Sequence, residues 1–512
     1  MPWIAASPAA PRNDEVVEYS VAKRLSPRGM TDLKLFNSLT RSLETFEPIH
    51  PGEARVYSCG PTVYNYQHVG NMRAYVFADT LGRVLSFKGY RLTHVINITD
   101  VGHLTSDADA GDDKMEKAAA SAGKSAWDIA AHYQQVFEAD LRRLNIRKVQ
   151  HPRATDYVEK MVAWGQAIEG KHAYRLDSGL YFDVSTVPEY GRLARASTDE
   201  GEGRIETVEG KRHAADFALW RTTPPGETRQ MEWDSPWGRG APGWHIECSV
   251  MSAELLGHPF DIHTGGIDHR EIHHPNEIAQ NQAKQMTHQA HSCGPDTGAR
   301  IWMHNNFLVD RRGKMSKSTG DFLTLQALVD RGYHPLAYRL LCLQAHYRSE
   351  LEFTWEGLGA ALVRLKRLVM AVERIKADMA SSKQPEGSFP LSEQERGVFD
   401  AAICADLNTP EVLTALEAAV SNRKMPAAKR MQLVRMADDL LGLDLLRLAR
   451  EELRIDPVDA GIDVAEIDRL IARRKDARAS KDFAASDAIR DELAARGVEV
   501  MDGDALGWDW KL

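Results

Sequence analysis

Apolar residues change their period twice within the first hundred positions of the chain. Ala54 to Cys59 forms a short, nearly continuous apolar run that stops at the turn pair Gly60-Pro61, which predicts a buried strand. A polar loop continues to His68. From Asn71 the spacing becomes helical: Phe77, Leu81, Val84 and Leu85 fall on one stripe, and Gly89 is placed to end the helix. Arg91 to Ile98 predicts a second strand. Strand, helix and strand within this length make a βαβ unit, the usual seed of a parallel sheet.

Periodicity weakens between about residues 150 and 240, where turn residues such as Thr222-Thr223-Pro224-Pro225-Gly226 accumulate. That stretch reads as an insertion between two halves of the sheet. Phe260 to His263 and Ile301 to Val309 predict further strands. From Trp355 onward the chain is mostly helical, with Leu362, Leu365, Val369 and Val372 on one face. A polar linker, Ser381 to Ser388, contains Pro385 and Gly387. The last region, Asp463 to Leu512, predicts one strong helix and then a short element of mixed charge ending in Trp508 and Trp510. There is no tandem repeat.

A chain of 512 residues exceeds one compact core and implies three or four domains. No apolar run is long enough to cross a bilayer, so no membrane partner is expected. Met1 to Gly29 is rich in Ala, Pro and Ser and lacks the apolar stretch of a signal peptide. It is expected to be a disordered extension (1–30), with Met30 a second possible start of translation. Five cysteines, far apart and odd in number, fit a reducing cytoplasm and exclude a disulfide framework. The net charge of -9 would repel phosphate in bulk, so any RNA must be held by local basic surfaces.

Three groups of residues carry candidate chemistry. His68-Val69-Gly70-Asn71 lies where the first helix begins. Free N–H groups and the helix dipole favour phosphate there, and Gly70 would let the backbone come close. By themselves these four residues read first as an ordinary strand-to-helix turn. Lys314-Met315-Ser316-Lys317-Ser318 follows a predicted strand and is bounded by Gly313 and Gly320. Two lysines in such a loop can close over a polyphosphate, although a solvated basic loop is the commoner meaning. His273 and Glu277 stand four apart near a helix start marked by Pro275, and can share one metal ion. Cys59 and Cys248 could add two thiolates. Spacing alone leaves buried small side chains and a surface His273-His274 pair as open alternatives.

The local motifs resemble those of cysteinyl-tRNA synthetases, a family within the class I aminoacyl-tRNA synthetases. Cys59-Gly60-Pro61-Thr62-Val63-Tyr64 followed by His68-Val69-Gly70-Asn71 is similar to the first class I signature, with Asn71 where the usual tetrapeptide ends in His. Lys314 to Ser318 matches the second, KMSKS. Pro242-Gly243-Trp244-His245-Ile246-Glu247-Cys248, then Gly265-Gly266-Ile267-Asp268, then His273 and Glu277 follow the family order, with Pro275 in place of a Glu common there. Lys481-Asp482-Phe483-Ala484 through Trp510 resembles the family's anticodon-binding terminus. The resemblance runs from about Leu33 to the end of the chain.

It implies an α/β fold: a Rossmann-type parallel-sheet catalytic domain in two halves (31–150 and 241–350) around a connective insertion (151–240). A helical bundle (351–455) and a small anticodon-binding domain (456–512) would follow. It also implies ligation of L-cysteine to tRNA(Cys) with ATP and Mg²⁺, by a cytoplasmic monomer. Zinc would be held by Cys59, Cys248, His273 and Glu277 and would select the substrate by its thiolate, so an editing site is not required. His68, Asn71, Lys314 and Lys317 would be catalytic. ATP would meet His68, Gly70, Asn71, Gly265, Gly266, Asp268 and Lys317, and cysteine would meet Cys59, Thr99 and Trp244, the last of which could instead be a packed core residue. Cys293, Cys342 and Cys404 match no ligand position. Arg364, Lys366, Arg367, Arg374, Arg473, Arg474 and Lys475 are candidate RNA contacts or simply solvated charges. Trp508 and Trp510 could stack on anticodon bases or pack the small domain.

Two other readings are a ligase that joins cysteine to an amino-sugar and a non-catalytic adapter. The helical C-terminal third argues against the first, and the intact Lys314 to Ser318 loop against the second. A second lysine pair, in Asp112-Asp113-Lys114-Met115-Glu116-Lys117, could serve a pyridoxal-dependent side activity known for some relatives. It reads more simply as a charged helix face.

Overall fold

The computed structural model describes residues 31–102, 114–194, 208–288, 297–310, 313–314, 323–382, 389–455, 462–502, 504 and 506–511. The N-terminal extension, Met315 to Gly320, the Lys314 side chain, Cys293, the Asp112-Asp113 pair and most of the Ser381–Ser388 linker lie outside them.

Four strands form the central sheet: β1 (Glu53–Ser58), β2 (Arg91–Ile96), β3 (Phe260–Gly266) and β4 (Ala299–Asn305). Their order is β4-β3-β1-β2 and every pairing is parallel. Helices cover both faces, so consecutive residues such as Val56 and Tyr57 are both buried. The first helix, α1 (Val69–Phe87), joins β1 to β2 as the sequence predicts. Its predicted stripe is buried, and Gly89 follows the helix with φ +88°, a left-handed residue that ends it. Both strands stop short of their predicted ends. The physical reason is Gly60: a Cβ there would sit 1.5 Å from the Asn97 carbonyl oxygen. The two strand tips approach closely here, and the pairing resumes only at an isolated parallel bridge between Thr62 and Thr99.

The opposite face of α1 reads as polar but is buried too. Asp79 there accepts from Arg83 (2.6 Å), Arg339 (2.5 Å) and the Arg147 backbone N–H (3.0 Å). Arg339 also donates to the Leu441 and Leu144 carbonyls, and Arg83 to those of Asp439 and Asn145. Burial alone would raise the Asp79 carboxyl, but Arg339 and Arg83 outweigh it and bring it down to about 2. Gly442 closes the cluster with φ +62°; a Cβ would meet Arg339 Nη2 at 2.6 Å.

Between β2 and β3 the chain builds helices Ala126–Arg143 and Val158–Ile168 and a separate antiparallel sheet of Ala173–Leu176, Gly179–Phe182, Phe217–Thr222 and Gly240–Pro242. Helices α2 (Trp244–Leu256) and α3 (His273–His288) then flank β3. After β4 come Pro335–Leu343 and a bundle of Trp355–Ser382, Glu393–Cys404, Thr409–Ser421 and Ala427–Leu441. The predicted face Leu362, Leu365, Val369 and Val372 is fully buried there. The final unit has two helices, Val464–Ala479 and Phe483–Ala495, where the sequence predicts one. Lys481 (φ 62°) and the Asp482 cap break them apart. A hairpin of Val498–Val500 and Trp508–Trp510 follows. Among the described residues no helix is long and apolar enough to cross a membrane.

Candidate active site and metal centre

In this strand order β1 and β3 send their connections to opposite faces, so a crevice opens at their carboxyl ends. A cavity of about 310 Å³ occupies it. Cys59 and Gly60 enter it from β1, His68, Gly70 and Asn71 from the start of α1, and Asn97 and Thr99 from the end of β2. Trp244 and Cys248 come from α2, Gly266 and Asp268 from the end of β3, and His273 from α3. The structure thus gathers most of the residues singled out in the sequence around one space. Gly265 and Glu277 lie outside this lining. A Cβ at Gly265 would meet the His274 ring at 2.7 Å, so this glycine makes room for that histidine.

His68 caps α1, its Nδ1 accepting from the Asn71 backbone N–H (3.2 Å). In the neutral ring the proton then sits on Nε2, which makes His68 a donor. A Cβ on Gly70 would come within 2.8 Å of this ring, so the glycine accommodates the histidine. The Asn71 side-chain oxygen is buried without a hydrogen-bond partner among the described residues. Trp244 is half-buried and its ring lies 4.5 Å from that of His273, on the cavity wall. Thr99 Oγ1 donates to Glu247 (3.0 Å) and accepts from Asn97 Nδ2 (3.2 Å). Burial raises the Glu247 carboxyl to about 8.

Cys59, Cys248, His273 and Glu277 each offer a ligand atom, all within 4.8 Å of one another and all buried. Turn spacing on α3 puts His273 and Glu277 on one face, with Nε2 to Oε1 at 3.0 Å. His273 Nε2 is 3.4 Å from Cys248 Sγ. His273 and His274 are not a surface pair; both are fully buried. A hydrogen bond from Cys59, aided by His273 against burial, lowers the Cys248 thiol to about 7. Burial and its neighbour Cys248 hold the Cys59 thiol well up. Burial opposes charge on His273, yet Glu277 and Cys248 raise it to about 10. Burial also opposes the Glu277 charge, but His263 and His273 bring it down to about 2. Two sulfurs, a carboxylate and an imidazole, all buried within 4.8 Å of one another, form a donor set that suits a cation. Glu277 Oε1 is buried with no hydrogen bond in line, which fits the same purpose.

A second set shares two of these ligands: Cys59, His263, His274 and Glu277. His263 Nε2 bonds Glu277 Oε2 (2.8 Å), and His274 Nε2 is 3.3 Å from Cys59 Sγ. Neither of these histidines lines the cavity, so a metal there would not face a ligand in it. The first set, with two sulfurs and two cavity-lining members beyond Cys59, suits a soft cation that must meet a thiol. Sequence reasoning missed His263, His274, Asn97 and Glu247. Asn97 lies inside the predicted strand Arg91 to Ile98 but just past the observed end of β2, and a polar residue at the tip of an apolar strand is a signal that could have found it.

The C-terminal candidates divide. Lys366 is buried against Asp509, Arg474 pairs with Asp502 (2.8 Å) and Arg364 with Glu417 (2.7 Å). Arg367, Arg374, Arg473 and Lys475 are exposed. Trp508 and Trp510 are buried and meet edge to face at 5.5 Å, so they pack the small unit and cannot stack on bases. The exposed aromatic of that unit is Phe483, at 63%.

Residues 45–362 match the model of the tRNA synthetases class I (C) catalytic domain, and residues 464–505 that of the cysteinyl-tRNA ligase anticodon binding domain. A methionyl-tRNA synthetase structure from Mycobacterium tuberculosis is similar with a TM-score of 0.51 at 14% identity, covering 77% of this chain and 92% of that one. A LeuRS from Agrobacterium radiobacter K84 in a ternary complex is similar at 0.53 and 13%, covering 80% and 85%. Parallel sheet, switch-point cavity and these matches define a class I aminoacyl-tRNA synthetase. The cysteine–tRNA ligase of Novosphingobium aromaticivorans is 66% identical over 483 residues, 94% of this chain and 97% of that relative. That of Zymomonas mobilis subsp. mobilis is 52% identical over 93% and 97%. The chain belongs to the cysteine–tRNA ligases.

Proposed function

We propose that the chain selects L-cysteine through a zinc ion held by Cys59, Cys248, His273 and Glu277, activates it with ATP and transfers it to tRNA(Cys). The observation that carries this reading is the buried two-sulfur tetrad opening into the same cavity as the start of α1. When bound, zinc lowers the pKa of a substrate thiol and binds it as thiolate, which serine and alanine cannot match. Trp244 walls the side-chain pocket, and Thr99, held by Asn97 and Glu247, borders it.

The carboxylate of cysteine attacks the α-phosphorus of ATP, and pyrophosphate leaves. No protein nucleophile is required; positioning and charge carry the step. His68 donates from Nε2 to phosphate oxygens and Asn71 adds its amide. Lys314 and Lys317, with Mg²⁺ on the phosphates, offset the charge of the leaving pyrophosphate. Gly266 borders the adenosine, and Asp268 accepts from ribose hydroxyls. The 2′-hydroxyl of the terminal adenosine then attacks the cysteinyl carbonyl and AMP leaves. The bundle (351–455) and the terminal unit (456–512) take the tRNA, with Arg367, Arg374, Arg473 and Lys475 towards phosphate and Phe483 available for stacking. In this reading the chain acts as a monomer, as the family resemblance implies. The described cysteines are unpaired, in keeping with a cytoplasmic setting.

Chelation tests the reading. Stripping metal is expected to abolish cysteine-dependent ATP–pyrophosphate exchange, and one equivalent of Zn²⁺ per chain to restore it. Metal-free protein that still activates cysteine in preference to serine would sink it. A second expectation concerns Gly70. Gly70→Ala pushes the His68 ring from its capping position and should lower the exchange rate constant by about 10–100-fold with KM for cysteine unchanged. An unaltered rate constant would show that the ring position is not used.

A further inference from the structure

The final hairpin joins the small C-terminal unit to the helical bundle through buried charge. Residues alternate along Trp508–Trp510, so Trp508 and Trp510 lie on one side, within the apolar core, and Asp509 points to the other. Asp509 is 2% exposed. Its Oδ2 accepts from Lys366, on the long bundle helix Trp355–Ser382, and from Arg450 (2.6 Å). Arg450, 1% exposed, also holds Asp504 (2.9 Å). Arg454 lies over the Trp508 ring at 3.9 Å and donates to the Trp508 carbonyl (3.3 Å). The bundle side therefore offers cations and the terminal unit offers two carboxylates and a ring face.

Such a joint is directional. Buried ion pairs add little net stability against an apolar isostere, but they penalise any geometry that leaves a charge unpaired. A sliding apolar contact would tolerate many orientations; this one tolerates few. Orientation matters because a tRNA must reach the cavity with one end and the terminal unit with the other. Two contacts on one ligand reinforce each other only when their spacing fits.

We propose that Asp509, with Lys366 and Arg450, is a positioning latch that fixes the terminal unit at the spacing from which one tRNA engages both it and the catalytic cavity. The latch rests on the reading that the terminal unit contacts the anticodon. Asp509 is a positioning residue and touches no substrate.

The test is Asp509→Asn in the full chain, with three readouts: cysteine-dependent ATP–pyrophosphate exchange, kcat/KM for charging native tRNA(Cys), and kcat/KM for the same tRNA with its anticodon bases replaced. Exchange should be unchanged. The ratio of native to anticodon-replaced charging should fall by about tenfold or more relative to the parent enzyme, as coupling between the two contacts is lost. An unchanged ratio overturns the latch, and so does a parallel fall in exchange and charging, which would mark general destabilisation. If Asp509→Asn does not fold, Lys366→Met, which keeps the Arg450 pair, must show the same fall in ratio. A parent ratio near one would instead defeat the anticodon reading itself.

Discussion

Cys248→Ala is expected to leave a folded protein with little bound zinc and cysteine-dependent exchange reduced by on the order of 10³-fold or more, within the range a required bond supplies. The substitution removes one sulfur from the fully buried start of α2 and leaves a small gap, costing about 1 kcal/mol in packing. Its effect on the site is far larger. Cys248 is the member whose thiol is drawn towards the thiolate, at about 7, and whose sulfur lies beside His273. Without it, two soft ligands become one, and His273 keeps its proton against Glu277. The preference for cysteine over serine should then collapse along with activity. Elemental analysis beside exchange assays with both amino acids checks this. Stoichiometric zinc with intact discrimination would assign the metal elsewhere, to the overlapping set with His263 and His274.

Asp79→Asn should destabilise the protein by about 3–5 kcal/mol, because it strips the carboxylate from between buried guanidinium groups. That is a large share of a typical net stability of about 5–15 kcal/mol. Arg339 is fully buried and keeps only carbonyl partners once the charge is gone. The pH dependence follows from the same carboxyl. Its folded pKa of about 2 lies below the value of roughly 3.9 for an unfolded Asp. Its stabilisation is therefore complete above about pH 4 and disappears as pH falls from about 4 towards 2. In the Asn variant that part of the acid limb should be absent. Denaturant titrations of both proteins at neutral pH and near pH 3 decide it; equal stability at neutral pH would refute the account.

The sequence carried the βαβ unit because β1, α1 and β2 each keep their own hydrophobic period. Spacing offers His273 and Glu277 as a possible metal pair, but only the motif resemblance joins them with Cys59 and Cys248, since three separate elements bring the four together. The order of the sheet is not in any local pattern, and the crevice exists because of that order. Lys366 reads as an RNA contact or a solvated charge, and nothing in the sequence singles out Asp79 or Arg339, for a polar residue in one segment does not announce the buried partner hundreds of positions away. Trp508 and Trp510 read as possible stacking platforms for the converse reason: the apolar surface that covers them belongs to other elements. The strands of the insertion are short and broken by turns, which dilutes their alternation. His263 and His274 do not read as possible ligands because they sit in runs dominated by other signals, the strand Phe260 to His263 and the His273 helix start, where His274 reads as half of a surface pair.

The guanidinium cluster on α1 has a consequence for modularity. Residues 45–362 match a catalytic domain, yet Arg83 and Arg339 within that span complete their bonding on carbonyls of Asp439 and Leu441, beyond it. Gly442 turns the chain just where a side chain would strike both arginines. A fragment cut after the matched span would keep the Asp79 pairs but leave each arginine short of one carbonyl partner, and it would expose the flank of α1 to water. The nucleotide half and the bundle therefore share a buried polar seam, and a boundary drawn at residue 362 cuts through it.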